Sequence, residues 1–334
     1  MMTIKDTVVR HQLESATMPL MALSQNGSLN CCDEPDAYDD DCECANCGTC
    51  VCDQPIGGDN YLWGYSYKPF GSHYVDYLNG GFVILPITDA VESDMVYGME
   101  LEVEYRLPEF ENVRTLLTYL NAAFGSHQSD STAVWIGKED STVDVEFVSM
   151  PFTYRAWQAA QPALAIAMEF AQAKFRAFYA ESAGGHIHVS KSLLSLTTMY
   201  AWIQFHYNNP GLIADIAQRS IGTDAEWCYL QKPDIPVAQI AKQKYGFPGR
   251  GALADSAHTI EHRYFRSNLR IERLNKNVEF LQSMFDYFSK LTYQDMARDG
   301  AHKLVGYLGH VSLNQATYPN LYTYLQKKGY ISCV

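Results

Sequence analysis

Gly184-Gly185-His186-Ile187-His188-Val189-Ser190 sets two histidines one residue apart. In an extended strand alternate side chains take opposite faces, so both imidazoles share one space while Ile187 and Val189 turn away from it. The paired glycines suit a tight turn or a close backbone approach, and Ser190 is placed to cap the helical pattern that follows. Taken alone, the run also reads as a strand with a solvated polar face.

Three further segments repeat the arrangement with acids. In Gly98-Met99-Glu100-Leu101-Glu102-Val103-Glu104 the even positions beyond Gly98 are glutamate and the odd ones apolar. Like charges two residues apart repel when shielded from water, and a bound cation is the simplest compensation. Residues 141 to 149 read as a strand with Val143, Val145 and Phe147 on one side and Asp144 and Glu146 on the other. In residues 259 to 266 Glu261 and Arg263 share a face, and Arg266 emerges at or beyond the strand end. Carboxylate oxygens together with imidazole suit Mg²⁺ or Mn²⁺, two such ions can bridge nucleotide phosphates, and arginine can neutralise a phosphoryl group in transfer. No GxxxxGK[ST] and no strand-linked GxGxxG is present, so metal has to hold the phosphates.

Around these strands the pattern alternates with helices. Residues 110 to 124 carry apolar side chains at helical intervals, as do 162 to 179, 193 to 207 and 212 to 219, and 271 to 330 is helical in period. Residues 151 to 157 read as leaving the sheet. The expected class is α+β, with a curved, mainly antiparallel sheet, helices on its apolar face and a polar catalytic basin on the other. That basin is expected to gather Glu100, Glu102, Glu146, His186, His188, Glu261, Arg263 and Arg266. Residues 220 to 257 are irregular, and there Lys242, Lys244 and Arg250 sit beside Gly246, Gly249 and Gly251 as candidates to cover phosphates, with a solvated loop as the alternative.

A chain of 334 residues can bury a sizeable core, and its formal charge of −13 argues against a nucleic-acid or anionic-membrane surface. No run approaches the roughly 18 uncharged apolar residues of a membrane span, and a cytoplasmic protein is expected. Seven of the nine cysteines fall between residues 31 and 52. Residues 1 to 60 therefore read as an acidic, cysteine-rich leader and 61 to 334 as the catalytic domain. Cys42, Cys44, Cys47 and Cys50 offer overlapping C-x-x-C spacings for a structural Zn²⁺, against which stand the absent histidine and the surrounding carboxylates.

The ordered set GMELEVE, DSTVDVEFVSMPF, AGGHIHVS and TIEHRYFRSNLRIERLNKNVEF, over roughly residues 97 to 290, resembles the amidoligase branch of the glutamine synthetase-like carboxylate–amine ligases, a group often encoded by phages. The resemblance implies ATP-dependent amide formation through an acyl phosphate, with Mg²⁺ or Mn²⁺ and with small-molecule or peptide substrates bearing a carboxylate and an amine. It is compatible with an oligomer and with a host cytoplasm as the site of action. Under it Glu100 and Glu102 are the metal-binding pair, Glu146 and Glu261 further acidic ligands, and His186 the ligating histidine. His188 lies near the phosphates or substrate, Arg263 stabilises the transferring phosphate and Arg266 is a second such cation. Glu102, Glu104 or Glu146 takes the proton of the amine. Two positions depart from the family: Glu139-Asp140-Ser141 lacks the usual glycine of its turn, and His262 stands where a hydrophobe is expected. A hydrolase with Zn²⁺ or Fe²⁺ in the His/Glu basin and a non-catalytic structural protein of the same fold are the competing readings.

Overall fold

Tyr97, Met99, Leu101 and Val103 are all almost wholly buried, whereas Gly98, Glu100, Glu102 and Glu104 point to the other face of the same strand. The two-residue period thus sorts one strand into an apolar back and an acidic front, and burying a side chain such as Met99 or Leu101 contributes roughly 1.5–3 kcal/mol. The computed structural model describes residues 55–56, 62–64, 72–87, 94–106, 110–126, 133–180, 182–222, 228–232, 234–242, 247, 251–256, 258–292, 294–295 and 300–332. The cysteine cluster and Arg250 lie outside them.

Among the described residues the strands are β1 (Pro55–Ile56), β2 (Leu62–Trp63), β3 (His73–Leu78), β4 (Gly81–Pro86), β5 (Val96–Tyr105) and β6 (Trp135–Lys138). They continue with β7 (Val145–Ser149), β8 (Phe152–Thr153), β9 (Phe175–Arg176), β10 (Gly184–Ser190), β11 (Leu253–Asp255) and β12 (Thr259–Arg266). The helices are α1 (Phe110–Ala123), α2 (Tyr154–Lys174), α3 (Leu196–Asn208), α4 (Pro210–Ala217), α5 (Val237–Ala241), α6 (Ile271–Phe288), α7 (Gly300–Leu313) and α8 (Pro319–Lys327).

This is an α+β chain with a mostly antiparallel sheet, ordered β1-β2-β6-β7-β5-β10-β12-β11. Among the described residues parallel pairing is confined to β2 with β6 and β3 with β8. The β1–β2 pair carries the sheet upstream of residue 61. β5 is central because its ten residues serve two partners on each edge: β8 and β7 along one, β10 and β9 along the other. The helices meet its apolar back, where the Tyr97 hydroxyl donates to Gln282 Oε1 of α6 at 2.7 Å and Trp157 Nε1 of α2 donates to Asn275 Oδ1 at 3.0 Å. No helix among the described residues is long and apolar enough to cross a membrane.

Local structure departs from the pattern-based expectation at several places. Phe152–Thr153 does not leave the sheet but pairs with β3 and β5, and residues 220 to 257 hold α5 and β11. The second acidic strand begins at Val145 and not at 141, since Asp140 Oδ1 accepts from the Thr142 amide at 2.7 Å and from its hydroxyl, closing the turn without a glycine. Val143 accordingly packs apart, with Ala180 and Ala183. α2 begins at Tyr154, not at Pro162, because the Thr153 hydroxyl caps the Ala156 amide and also donates to the buried Asp76 carboxylate at 2.6 Å. It ends at Lys174, and Phe175–Arg176 turns back to pair with β5. Ser195, not Ser190, caps α3 through the Thr198 amide.

His262 occupies its unusual position by being fully satisfied within the core. Trp202 Nε1 donates to His262 Nε2 at 3.0 Å, which places the proton on Nδ1, where it faces the Ile187 carbonyl at 3.2 Å. His206, next in the same cluster, lies 2.8 Å from the Trp202 carbonyl through Nδ1, and its Nε2 accepts from the Tyr264 hydroxyl. Burial drives the imidazoles neutral, His262 well below the ordinary range and His206 down to about 4. A histidine with a depressed folded pKa loses stability on acidification, because between about 6.5 and about 4 the unfolded chain binds the proton that the native one refuses. His206→Gln keeps a donor and an acceptor but cannot titrate. The stability advantage of the native chain over this variant is expected to shrink by about 2 kcal/mol between pH 7.5 and pH 5, measured by urea unfolding, and a gap independent of pH would contradict the buried neutral imidazole.

Candidate functional site

Strand register carries the separate acidic and histidine motifs to one place. His186 lies opposite Glu100 across β10 and β5, Glu102 opposite Glu146 across β5 and β7, and His188 opposite Glu261 across β10 and β12. Because residues directly opposite each other project to the same face, the front of four strands becomes a single ionic surface. A bulge in β12 between the Gly185 and Ile187 pairings shifts the ladder beside His186.

Glu100 is the hub. Its Oε2 lies 3.0 Å from His186 Nδ1 and its Oε1 3.0 Å from His188 Nε2. His186 Nδ1 is also 3.3 Å from Glu261 Oε1, and its Nε2 is 3.6 Å from Glu102 Oε1. Thr259 Oγ1, 3.3 Å from His188 Nδ1, steadies the second ring. Two three-residue donor sets result: Glu100, Glu146 and His186 form one, and Glu100, His188 and Glu261 the other, with the donor atoms of each within 4.8 Å of one another. Carboxylate oxygens with one imidazole form a ligand set for a divalent cation, and a carboxylate shared between two sets can bridge a pair of ions.

Gly184 is required here for space. A Cβ on it would fall 2.9 Å from His186 Nε2 and 3.2 Å from Glu102 Oε2, and the absent side chain lets the Gly184 amide donate to Glu102.

The electrostatics follow from packing four carboxylates into a poorly hydrated pocket. Burial opposes ionisation of Glu100, yet the two imidazoles outweigh it and hold this carboxyl well below the usual range. Burial raises Glu102 against the pull of His186 and the Gly184 amide. Burial and then the Glu100 charge push Glu146 up to about 8, although Lys138 Nζ lies 3.3 Å from it. For His186, burial disfavours the cation, but Glu100, Glu102 and Glu261 together raise it to about 9. Within the basin, protons stand where additional positive charge is wanted.

Arg263 joins this group, its Nη1 3.6 Å from Glu261 Oε1. Among the described residues its buried Nε has no hydrogen-bond partner, an unspent donor next to the second donor set. Arg266 is engaged elsewhere: its Nε donates to the Phe178 carbonyl at 2.5 Å and its guanidinium covers the Phe178 ring at 4.6 Å. Glu104 is also outside the basin, at the β9 end of β5, 3.7 Å from Arg176 and 3.4 Å from Ser182. Lys138 is the site residue that pattern reading passes over. Its strand is short and apolar, and only the pairing of Lys138 with Glu146 brings the ammonium to the acids. Asp140, from the turn before β7, adds negative charge that helps raise Glu102.

No protein-family model and no curated protein matches this chain.

A raised His186 contributes stability to the metal-free protein that is complete below about pH 6.5 and is lost as pH rises through about 9. In histidine NMR of the metal-free chain His186 is expected to titrate near 9, and in Glu100→Gln well below that. An unaltered titration in the variant would show that Glu100 does not hold the imidazolium.

Proposed function

We propose that the chain is an ATP-dependent carboxylate–amine ligase that forms an amide through an acyl phosphate, on a curved, glutamine synthetase-like sheet. The observation that carries this reading is the pair of donor sets sharing Glu100, with the buried, unpartnered Nε of Arg263 alongside. Its donor chemistry fits Mg²⁺ or Mn²⁺: oxygen donors outnumber nitrogen and no thiolate takes part, whereas a site selective for Zn²⁺ is typically richer in histidine or cysteine. Glu100, Glu146 and His186 would hold one ion and Glu100, His188 and Glu261 the other. When bound, such ions supply positive charge that neutralises the nucleotide phosphates.

The side chains then divide the work. Lys138 keeps Glu146 in place from the neighbouring strand, and Thr259 fixes the His188 ring. Arg263 offsets the charge that grows on the γ-phosphoryl group as a substrate carboxylate oxygen attacks phosphorus and ADP leaves. The amine next attacks the acyl carbon, phosphate departs, and the amine proton passes to a carboxylate. Glu102 is the candidate for that acceptor, because it falls outside both donor sets and burial makes its carboxylate more basic than an ordinary one. The substrates are a small molecule or peptide with a carboxylate and a second with an amine. Glu104, engaged with Arg176, is not part of this scheme.

Purified protein with Mg²⁺ and ATP is expected to release ADP only when a suitable acid and amine are both supplied. Arg263→Ala should lower kcat by about a thousandfold without changing the unfolding midpoint, the scale found for removing a charge that acts in the transition state. Glu100→Gln should abolish the Mg²⁺ dependence of ATP binding in calorimetry. ATP binding that needs neither a divalent ion nor Glu100 would overturn the assignment.

A further inference from the structure

Beside the basin, α4, α8, the start of α6 and Phe178 enclose a cleft of about 640 Å³. Among the described residues its charged lining is Arg219, Arg273, Lys327 and Lys328, against a single carboxylate, Asp215. That carboxylate is already spoken for, with Lys328 Nζ at 2.5 Å and the Tyr330 hydroxyl at 2.8 Å. The cleft is therefore positive within a chain of net charge −13, so its ligand is selected by chemistry and not by the overall field. Tyr324 provides an aromatic wall, with the Arg273 guanidinium 5.2 Å from its ring centroid.

The backbone is arranged to aim one of these cations at the basin. α4 ends at Gln218 in the left-handed conformation, φ +59°, a position that glycine usually fills, and the turn it makes sends the next residue, Arg219, toward β10. Arg219 Nη1 and Glu102 Oε2 both lie within 3.4 Å of the point a Cβ on Gly184 would occupy, and Arg219 forms no hydrogen bond or ion pair with a described residue. Phe178, at the cleft, is fixed by Arg266, whose strand position pairs with Gly184. The cleft and the ionic basin thus meet at Gly184.

We propose that this cleft docks the acid substrate, a molecule with several carboxylates such as an acidic peptide: Arg273 and Lys327 hold its distal acidic groups, and Arg219 guides the reacting carboxylate past Gly184 to the basin. The substrate role rests on the ligase reading, whereas the anion site itself stands on the cleft. Several cations in one cleft discriminate a chain of carboxylates from a neutral analogue, since each charge-assisted hydrogen bond outweighs its neutral counterpart. Tyr324 and Phe178 add apolar walls for the stems between the acids.

The test uses the full chain and calorimetry with triglutamate, neutral triglutamine, inorganic tripolyphosphate and, separately, Mg²⁺ with ATP. Triglutamate is expected to bind and triglutamine not, and Lys327→Gln and Arg273→Gln should each weaken triglutamate about tenfold while leaving Mg²⁺-dependent ATP binding unchanged. Lys327 is exposed, so its variant remains informative if Arg273→Gln disturbs the packing around Tyr324. Equal affinity for triglutamate and triglutamine, or no loss in either variant, overturns the cleft as a carboxylate site. Preference for tripolyphosphate, lost in the same variants together with ATP binding, makes it a nucleotide site and overturns the proposal. Triglutamate binding to a protein that fails to bind Mg²⁺ and ATP upholds the anion site but removes the ligase reading and with it the substrate role.

Discussion

The contact between Glu100 and the two imidazoles is the constraint on which the rest of the site depends. One ionised carboxylate 3.0 Å from both His186 and His188 sits within reach of three more acids, in a pocket where burial penalises every charge. Such a cluster persists only if its members are rigidly placed and cross-compensated. The sheet provides the placement, because Glu100, Glu102, Glu146, His186, His188 and Glu261 all project from paired strands whose ladders define their separations. Lys138 and Arg263 provide fixed positive charge at its two sides.

The back of the sheet serves the front. Ile187 and Val189 alternate with the two histidines and sink into the core, and Ile260, His262 and Tyr264 do so behind Glu261 and Arg263. Here a polar residue is tolerated because its partners are also buried and complete: His262 receives from Trp202, and His206 receives from Tyr264. This chain of rings ties α3 to β12 and keeps that strand from sliding, and a one-residue slip would turn Glu261 and Arg263 inward. Ser267, whose hydroxyl donates to the Glu102 carbonyl, pins the end of β12 across to β5 in the same sense.

The basin and the cleft are built from different parts of the architecture. The basin draws on strand pairing, while the positive cleft draws on helices from the last third of the chain, α6 and α8, and on α4 with the turn after it. Gly184 is the junction, a residue whose missing side chain leaves room for His186, Glu102 and Arg219 at once. Strand faces and the helices around them thus build two adjoining surfaces that can vary independently.

Much of the site was readable from residue order. Alternation of acid and hydrophobe in residues 98 to 104, and of histidine and hydrophobe in 184 to 190, is a property of the extended backbone alone, so the facing of Glu100, Glu102, His186 and His188 needed no tertiary information. Glu261 and Arg263 followed for the same reason. Strand ends were harder: β7 starts at Val145 because the Asp140 side chain closes the preceding turn, and α2 starts at Tyr154 because Thr153 is held by Asp76 from a distant strand. Which polar faces share one basin was decided only by strand order and register, and these depend on contacts between segments many residues apart. That is why Lys138 entered the site, Glu104 and Arg266 found other partners, and Arg219 came to lie beside Gly184, although nothing in their local sequence distinguishes them.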